Sequence, residues 1–134
     1  MVLDYAILCE AASAAPDGKT SILGGGFDIF VAPKVPFQIH RVVLAARFLF
    51  RSAETNTPVP FEIRLIDGDG QLVLPSQSGT VETRPGRIPG AIVPYPMILE
   101  FAGVTFHKYG PYSFEILIEG RAVKSVPLYI VDSL

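Results

Sequence analysis

The sequence predicts an all-β protein: an antiparallel β-sandwich of about eight strands with Greek-key connections and no long helix. Apolar and polar side chains alternate every second residue along much of the chain, whereas a 3.6-residue period is not sustained anywhere. The 12 glycines and 12 prolines are spread throughout and interrupt the alternating runs at short intervals. Two packed sheets are therefore favoured over layers that contain helices.

The first two strands are predicted to form a hairpin. Residues 2–10 and 20–30 are rich in β-branched and aromatic side chains, and they flank the turn-like segment 14–18. Three successive glycines, Gly24 to Gly26, interrupt the second strand, which is typical of a bulge or of another part of the chain approaching closely. The prolines in residues 32–36 then predict a stiff extended connection.

A long strand is predicted over residues 39–51. One face is apolar and is assigned to the core: Val42, Leu44, Ala46, Phe48 and Phe50. The other face carries Arg41, Arg47 and Arg51, for which we expect carboxylate partners on neighbouring strands from Glu62, Glu100, Glu115 or Glu119.

The second half of the chain predicts further strands around a long loop. Residues 61–65 alternate, and the Asp-Gly-Asp-Gly turn at 67–70 leads into residues 71–74. Residues 75–96 contain five prolines and three glycines, which predicts a loop that is either functional or mobile, with a short edge strand near 78–82. Residues 97–106 form the next predicted strand. Residues 112–130 predict a closing antiparallel hairpin whose inward side chains are Tyr112, Phe114, Ile116 and Ile118.

Composition limits the classes of function. The 134 residues suit one domain, 1–134, that can bury a core without a disulfide or a metal. A net charge of -2 and the lack of a basic run argue against nucleic acid and anionic membrane partners. No segment approaches the roughly 18 apolar residues of a membrane-spanning helix. Cys9 is the only cysteine and is expected to be a buried apolar residue, which fits a reducing, cytoplasmic location.

No motif for a cofactor, a metal or a catalytic nucleophile is complete. Gly18-Lys19-Thr20 resembles the end of a phosphate-binding loop, but it leads into a predicted strand instead of a helix. His40 and His107 have no His or Cys at metal-ligand spacing. Neither Cys9 nor any serine has the local signature of a nucleophile.

Two regions are candidate ligand sites. The turn residues Asp17, Asp67 and Asp69 suggest a calcium site, because hard cations bind carboxylate oxygens that converge from loops. The alternative is that they are ordinary hairpin residues, since Asp-Gly pairs are common in hairpin turns. The proline-rich loop supplies Arg84 and Arg87, together with Tyr95. A tyrosine between two prolines presents a rigid ring at low entropic cost, which suits a contact residue.

Several short blocks, taken in order, resemble a family of short bacterial proteins of unknown function. The resemblance spans most of the chain and implies a β-sandwich, with no established activity, cofactor or site residue to transfer. The blocks are Leu3-Asp4-Tyr5-Ala6, Gly18-Lys19, Leu23-Gly24-Gly25-Gly26-Phe27-Asp28, Arg64-Leu65-Ile66-Asp67-Gly68-Asp69-Gly70, Gly110-Pro111-Tyr112-Ser113-Phe114-Glu115-Ile116 and Glu119-Gly120.

A high apolar fraction, 49%, without a site signature favours a non-catalytic protein-interaction or structural module. We expect it to bind a protein partner or to form a homo-oligomer through an exposed strand edge or apolar patch. The alternative is a sandwich that binds a small ligand or calcium through its end loops, and an enzyme ranks third.

Overall fold

The structure, a computed structural model, describes all 134 residues and confirms the all-β prediction. The chain forms ten strands instead of about eight, and its one helix is a single 3-10 turn at Ser52–Glu54. The strands are β1 (Val2–Cys9), β2 (Ala11–Ala14), β3 (Thr20–Leu23), β4 (Ile29–Val31), β5 (Phe37–Phe50), β6 (Val59–Asp67), β7 (Gln77–Val81), β8 (Val93–Phe106), β9 (Gly110–Ile118) and β10 (Arg121–Val131).

These strands form three sheets. A three-stranded sheet has the order β1-β5-β8, a five-stranded sheet has the order β4-β10-β9-β6-β7, and β2 pairs with β3 alone. The prediction of purely antiparallel sheets is wrong for β4, which runs parallel to β10 with Ile29 opposite Tyr129. These two segments are far apart in sequence, so no turn signal reports their pairing. The predicted Greek-key connections are not confirmed.

The main core takes side chains from both larger sheets and follows the predicted alternation. All five side chains assigned to the apolar face of the long strand, now β5, are buried. On β9, Tyr112, Phe114 and Ile116 are buried, and Ile118 packs against the same cluster of 23 residues. Phe101 of β8 meets Phe114 of β9 with ring centroids 5.1 Å apart, which joins one sheet to the other.

The predicted first hairpin is wrong in its first strand, and its second strand is too long. β1 pairs with β5, and the hairpin itself consists only of β2 and β3, which we call the ribbon. After the ribbon the chain passes close over β1, as the three glycines predicted: a Cβ built on Gly25 would stand 2.7 Å from Ile22 Cγ2 and 3.2 Å from Ile7 Cδ1. The missing side chain at Gly25 therefore permits this close approach.

The predicted loop at residues 75–96 is also too long. The short edge strand is confirmed as β7, and β8 begins at Val93, so Pro94 and Pro96 lie within a strand. β8 is the last strand of its sheet, and an edge strand tolerates proline where the missing N–H would face solvent. Residues 71–74 form no strand beyond one isolated bridge between Ile66 and Leu72.

Candidate functional site

The acidic turn after β6 is held together by its own hydrogen bonds. Asp67 Oδ1 accepts hydrogen bonds from the backbone N–H of Asp69 at 2.9 Å and of Gln71 at 3.0 Å. Lys108, which lies between β8 and β9, places its Nζ 3.2 Å from the Asp69 carboxylate and 3.5 Å from that of Asp67. Sequence reasoning did not anticipate this lysine, because it comes from a different part of the chain.

These contacts shift the pKa values of Asp67 and Lys108 and so favour the charged form of both side chains. The hydrogen bond from the Gln71 N–H, then that from Asp69 and the nearby Lys108, lower the pKa of Asp67. The hydrogen bond to Asp69, then the charge of Asp67, raise the pKa of Lys108. The ammonium group therefore occupies the place between the two carboxylates where a bound cation would be expected.

Asp17 is not brought into a metal-binding group with Asp67 and Asp69. It lies in the turn of the ribbon, where its Oδ1 accepts a hydrogen bond from the Lys19 N–H at 3.0 Å. Nowhere in the chain do three or more His, Cys, Asp or Glu side chains converge in a way that could hold a metal ion. The three predicted turn residues thus form two separate local turns.

The residues of the second candidate region, Arg84, Arg87 and Tyr95, are not brought together either. Arg84 and Arg87 lie exposed in the loop between β7 and β8 and form no ion pair. Tyr95 is not in this loop, because its segment belongs to β8. Its half-buried ring packs edge-on against Phe50 with centroids 6.5 Å apart. Tyr95 thus contributes to packing and is not displayed beside the two arginines.

Two isoleucines of this loop are exposed beside the arginines. Sequence reasoning missed them, because the alternation of apolar and polar residues does not indicate which side chains of a loop are exposed. Ile88 is 71% exposed and Ile92 is 60% exposed. Residues 83–99 include no acidic side chain, so Arg84 and Arg87 are the only charged groups there. We call residues 84–92 the cationic loop.

A second apolar surface lies at the opposite edge of the five-stranded sheet. Ile29 and Val31 of β4 and Tyr129 of β10 are exposed side by side on the outer face, because Leu128 and Ile130 point into the core. We call these three residues the β4 patch. Asp28 precedes β4 and Asp132 follows β10; both are exposed and have no ion-pair partner.

A cleft of about 510 Å³ adjoins the β4 patch and shares Ile29 with it. Its apolar walls come from Phe27, Phe30, Phe37 and Ile39. Arg41 also lines it, but its guanidinium group is engaged, donating to the Glu10 carbonyl at 3.2 Å and lying 3.7 Å from Glu100.

The predicted charge ladder on β5 is confirmed only for the pair of Arg41 and Glu100. Arg47 instead pairs with Asp4 and Arg51 with Glu54, which lies at 3.2 Å. Cys9 is buried, as expected, and forms no disulfide. The chain contains no helix with the length and apolar character needed to cross a bilayer.

Comparisons with known proteins confirm the resemblance but add no activity. The model of a family described as "Family of unknown function (DUF6941)" matches residues 4–131. None of the curated proteins matches the chain. Among solved structures it is similar to the Pseudomonas fluorescens alkylpurine DNA glycosylase AlkC bound to DNA containing an abasic site analog. That match has a TM-score of 0.49 and 11% identity, and it covers 76% of this chain and 27% of that one. Similarity at this level carries no argument about function.

Proposed function

The chain belongs to a protein family of unknown function, and on that premise we propose that it is a non-catalytic interaction module that self-associates. The β4 patch is the observation that carries this proposal. Three large apolar side chains, each 42% or 43% exposed, lie next to one another at the edge of a sheet. Contiguous exposed apolar surface of this kind marks interaction sites, whereas scattered exposed residues need no explanation.

The shape of the edge supports the same proposal. β4 is only three residues long and is the last strand of its sheet, so it covers little of the apolar surface behind it. The cleft beside it opens toward the aromatic side chains of Phe27 and Phe30, whose ring centroids are 5.0 Å apart. A partner that covered the β4 patch would bury these groups together.

The positions of the charged side chains and of the two histidines support the non-catalytic part of the proposal. Asp67 and Asp69 share an ion pair with Lys108 in an exposed turn, and His40 and His107 are exposed on separate segments. We extend the proposal to a cytoplasmic location, supported by the free thiol of Cys9. We also propose that the two larger sheets form a β-sandwich, which their shared core supports.

Light scattering over a concentration series tests self-association. We expect the wild-type chain to exceed the mass of a monomer at micromolar concentration and Ile29→Ser to shift it toward the monomer. Val123→Ser is the matched control, because Val123 is also β-branched and 46% exposed but lies outside the β4 patch. A wild-type chain that stays monomeric, or equal effects of the two variants, would overturn the proposal.

A further inference from the structure

We infer that the self-association is head-to-tail: the cationic loop of one copy binds the β4 patch and the adjoining cleft of the next. This inference rests on the proposed function and names the partner surface. The two surfaces are at opposite edges of one sheet, because β4 and β7 are its end strands and the cationic loop follows β7 directly. One copy therefore carries both surfaces of the contact, but its own cationic loop cannot bind its own β4 patch.

The two surfaces are complementary in charge. The cationic loop carries Arg84 and Arg87 within a stretch, 83–99, that has no other charged residue. Asp28 lies next to the β4 patch immediately before β4 and Asp132 immediately after β10, and the nearest basic residue in sequence is Lys34. All four groups are exposed and lack ion-pair partners within the chain. Opposed charges at the rim of a contact accelerate association and disfavour the wrong pairing.

The two surfaces also match in shape and polarity. Ile88 is the most exposed isoleucine of the chain, at 71%, and it projects from a loop. The cleft of about 510 Å³ next to Ile29 has five aromatic or aliphatic residues among the nine that line it, and the other four are Glu10, Gln38, His40 and Arg41. An aliphatic side chain that enters such a cleft buries apolar area on both partners, while the flanking arginines come within reach of the aspartates.

This arrangement predicts an assembly different from a symmetric dimer. In a two-fold dimer one composite surface serves both copies, so that residue i of one meets residue j of the other and j meets i, whereas a head-to-tail contact leaves one free half at each end. The complex therefore grows into a ring or an open filament. We expect the mass in light scattering to keep rising with concentration beyond that of a dimer.

A charge-swap experiment tests the inference on the full chain. One variant carries Arg84→Glu and Arg87→Glu, and the other carries Asp28→Lys and Asp132→Lys. Each variant alone places like charges at the contact, so we expect its association to weaken at least about tenfold. An equimolar mixture restores opposite charges at both kinds of contact, so we expect association to return.

The outcomes separate this inference from the proposed function. If one variant alone still associates like the wild type, or if the mixture fails to associate, the head-to-tail contact is refuted while self-association stands. If the wild type is monomeric, both fail. Circular dichroism verifies that each variant folds. Should one not fold, Ile88→Ser replaces it: we expect association to weaken at least about tenfold, and unchanged association overturns the inference.

Discussion

Replacing Gly25 by alanine adds one methyl group at the closest approach between the segment after the ribbon and β1. The new Cβ would stand 2.7 Å from Ile22 Cγ2, 3.2 Å from Ile7 Cδ1 and 3.5 Å from Cys9 Cβ. The first distance is shorter than real Cβ contacts allow. Because Ile22 of β3 is β-branched and stiff at χ1, the backbone of the glycine segment has to move away from Ile22.

The size of the effect follows from two opposing terms. Forcing an extra methyl into a packed contact costs about 1–3 kcal/mol. Alanine restricts the unfolded chain more than glycine does, which returns about 0.4–1 kcal/mol. The two terms together give a loss in the free energy of unfolding of about 0–2.6 kcal/mol, and we expect Gly25→Ala to lie near its middle, at about 1.3 kcal/mol.

Urea denaturation followed by circular dichroism measures this loss. Gly86→Ala is the matched control, because its Cβ would meet only Val93 Cγ2 at an ordinary 3.7 Å. We expect that variant to be neutral or more stable by up to about 1 kcal/mol. If Gly25→Ala is as stable as Gly86→Ala, the close approach does not limit the size of the side chain and the reasoning fails.

Two further measurements locate the effect. Adding Ile22→Ala to Gly25→Ala removes the atom of closest contact, so the double variant should recover part of the loss. Labelling of the Cys9 thiol should be slow in the wild type, because Cys9 is fully buried and its burial raises the pKa of the thiol. It should be faster in Gly25→Ala, because the segment that lies next to Cys9 is displaced.

Three other predictions concern the core, the acid response and the acidic turn. Phe114→Ala should lower the free energy of unfolding by about 3–5 kcal/mol in the same urea titration, since Phe114 is fully buried. A loss below about 1 kcal/mol would contradict a core shared by the two sheets. Hydrogen bonds from the Met1 ammonium and the Arg51 N–H lower the pKa of Glu54 from 4.5 to about 2, so its stabilising contribution is present above pH 4.5 and is lost as pH falls toward 2. Glu54→Gln should therefore show a smaller drop in melting temperature than the wild type over that range, and equal drops would refute this. Millimolar calcium should leave the melting temperature unchanged because the Lys108 ammonium already lies between Asp67 and Asp69 and no third carboxylate joins them; a rise in melting temperature that Asp67→Ala abolishes would show the opposite.

Local periodicity was sufficient to predict most strands and most of the core. On β5 and β9 a two-residue repeat identified the face that enters the main core, because a strand points successive side chains to opposite sides. It did not predict that the second face of β5 is also buried at Val43 and Ala45, which pack with Cys9. The same reasoning began the strand too late, at Met97 instead of Val93, because the tolerance of Pro94 and Pro96 depends on β8 being an edge strand. Whether a strand lies at an edge is a property of the assembled sheet and not of the strand's own residues.

The surface was less predictable than the core, since its features depend on contacts between distant segments. Lys108 reaches the turn at Asp67 from the junction between β8 and β9, and β4 reaches β10 from the other half of the chain. Arg84 and Arg87 were identifiable from composition, whereas the exposure of Ile29 and Tyr129 follows from a parallel pairing that no local signal announces. The apolar patch and its acidic neighbours thus became visible only in the assembled fold.

The ribbon also provides a position for a reporter of the proposed self-association. Its strands pair only with each other, and backbone hydrogen bonds from Glu10 to Leu23 and from Gly26 to Leu8 anchor its base. The ribbon can therefore open locally, with fast amide exchange at residues 11–14 and 20–23, while the larger sheets remain protected. Its exposed tip at residues 15–18 can accept an inserted reporter peptide at little cost. A fluorophore carried there would report on the proposed self-association while leaving both proposed contact surfaces chemically intact.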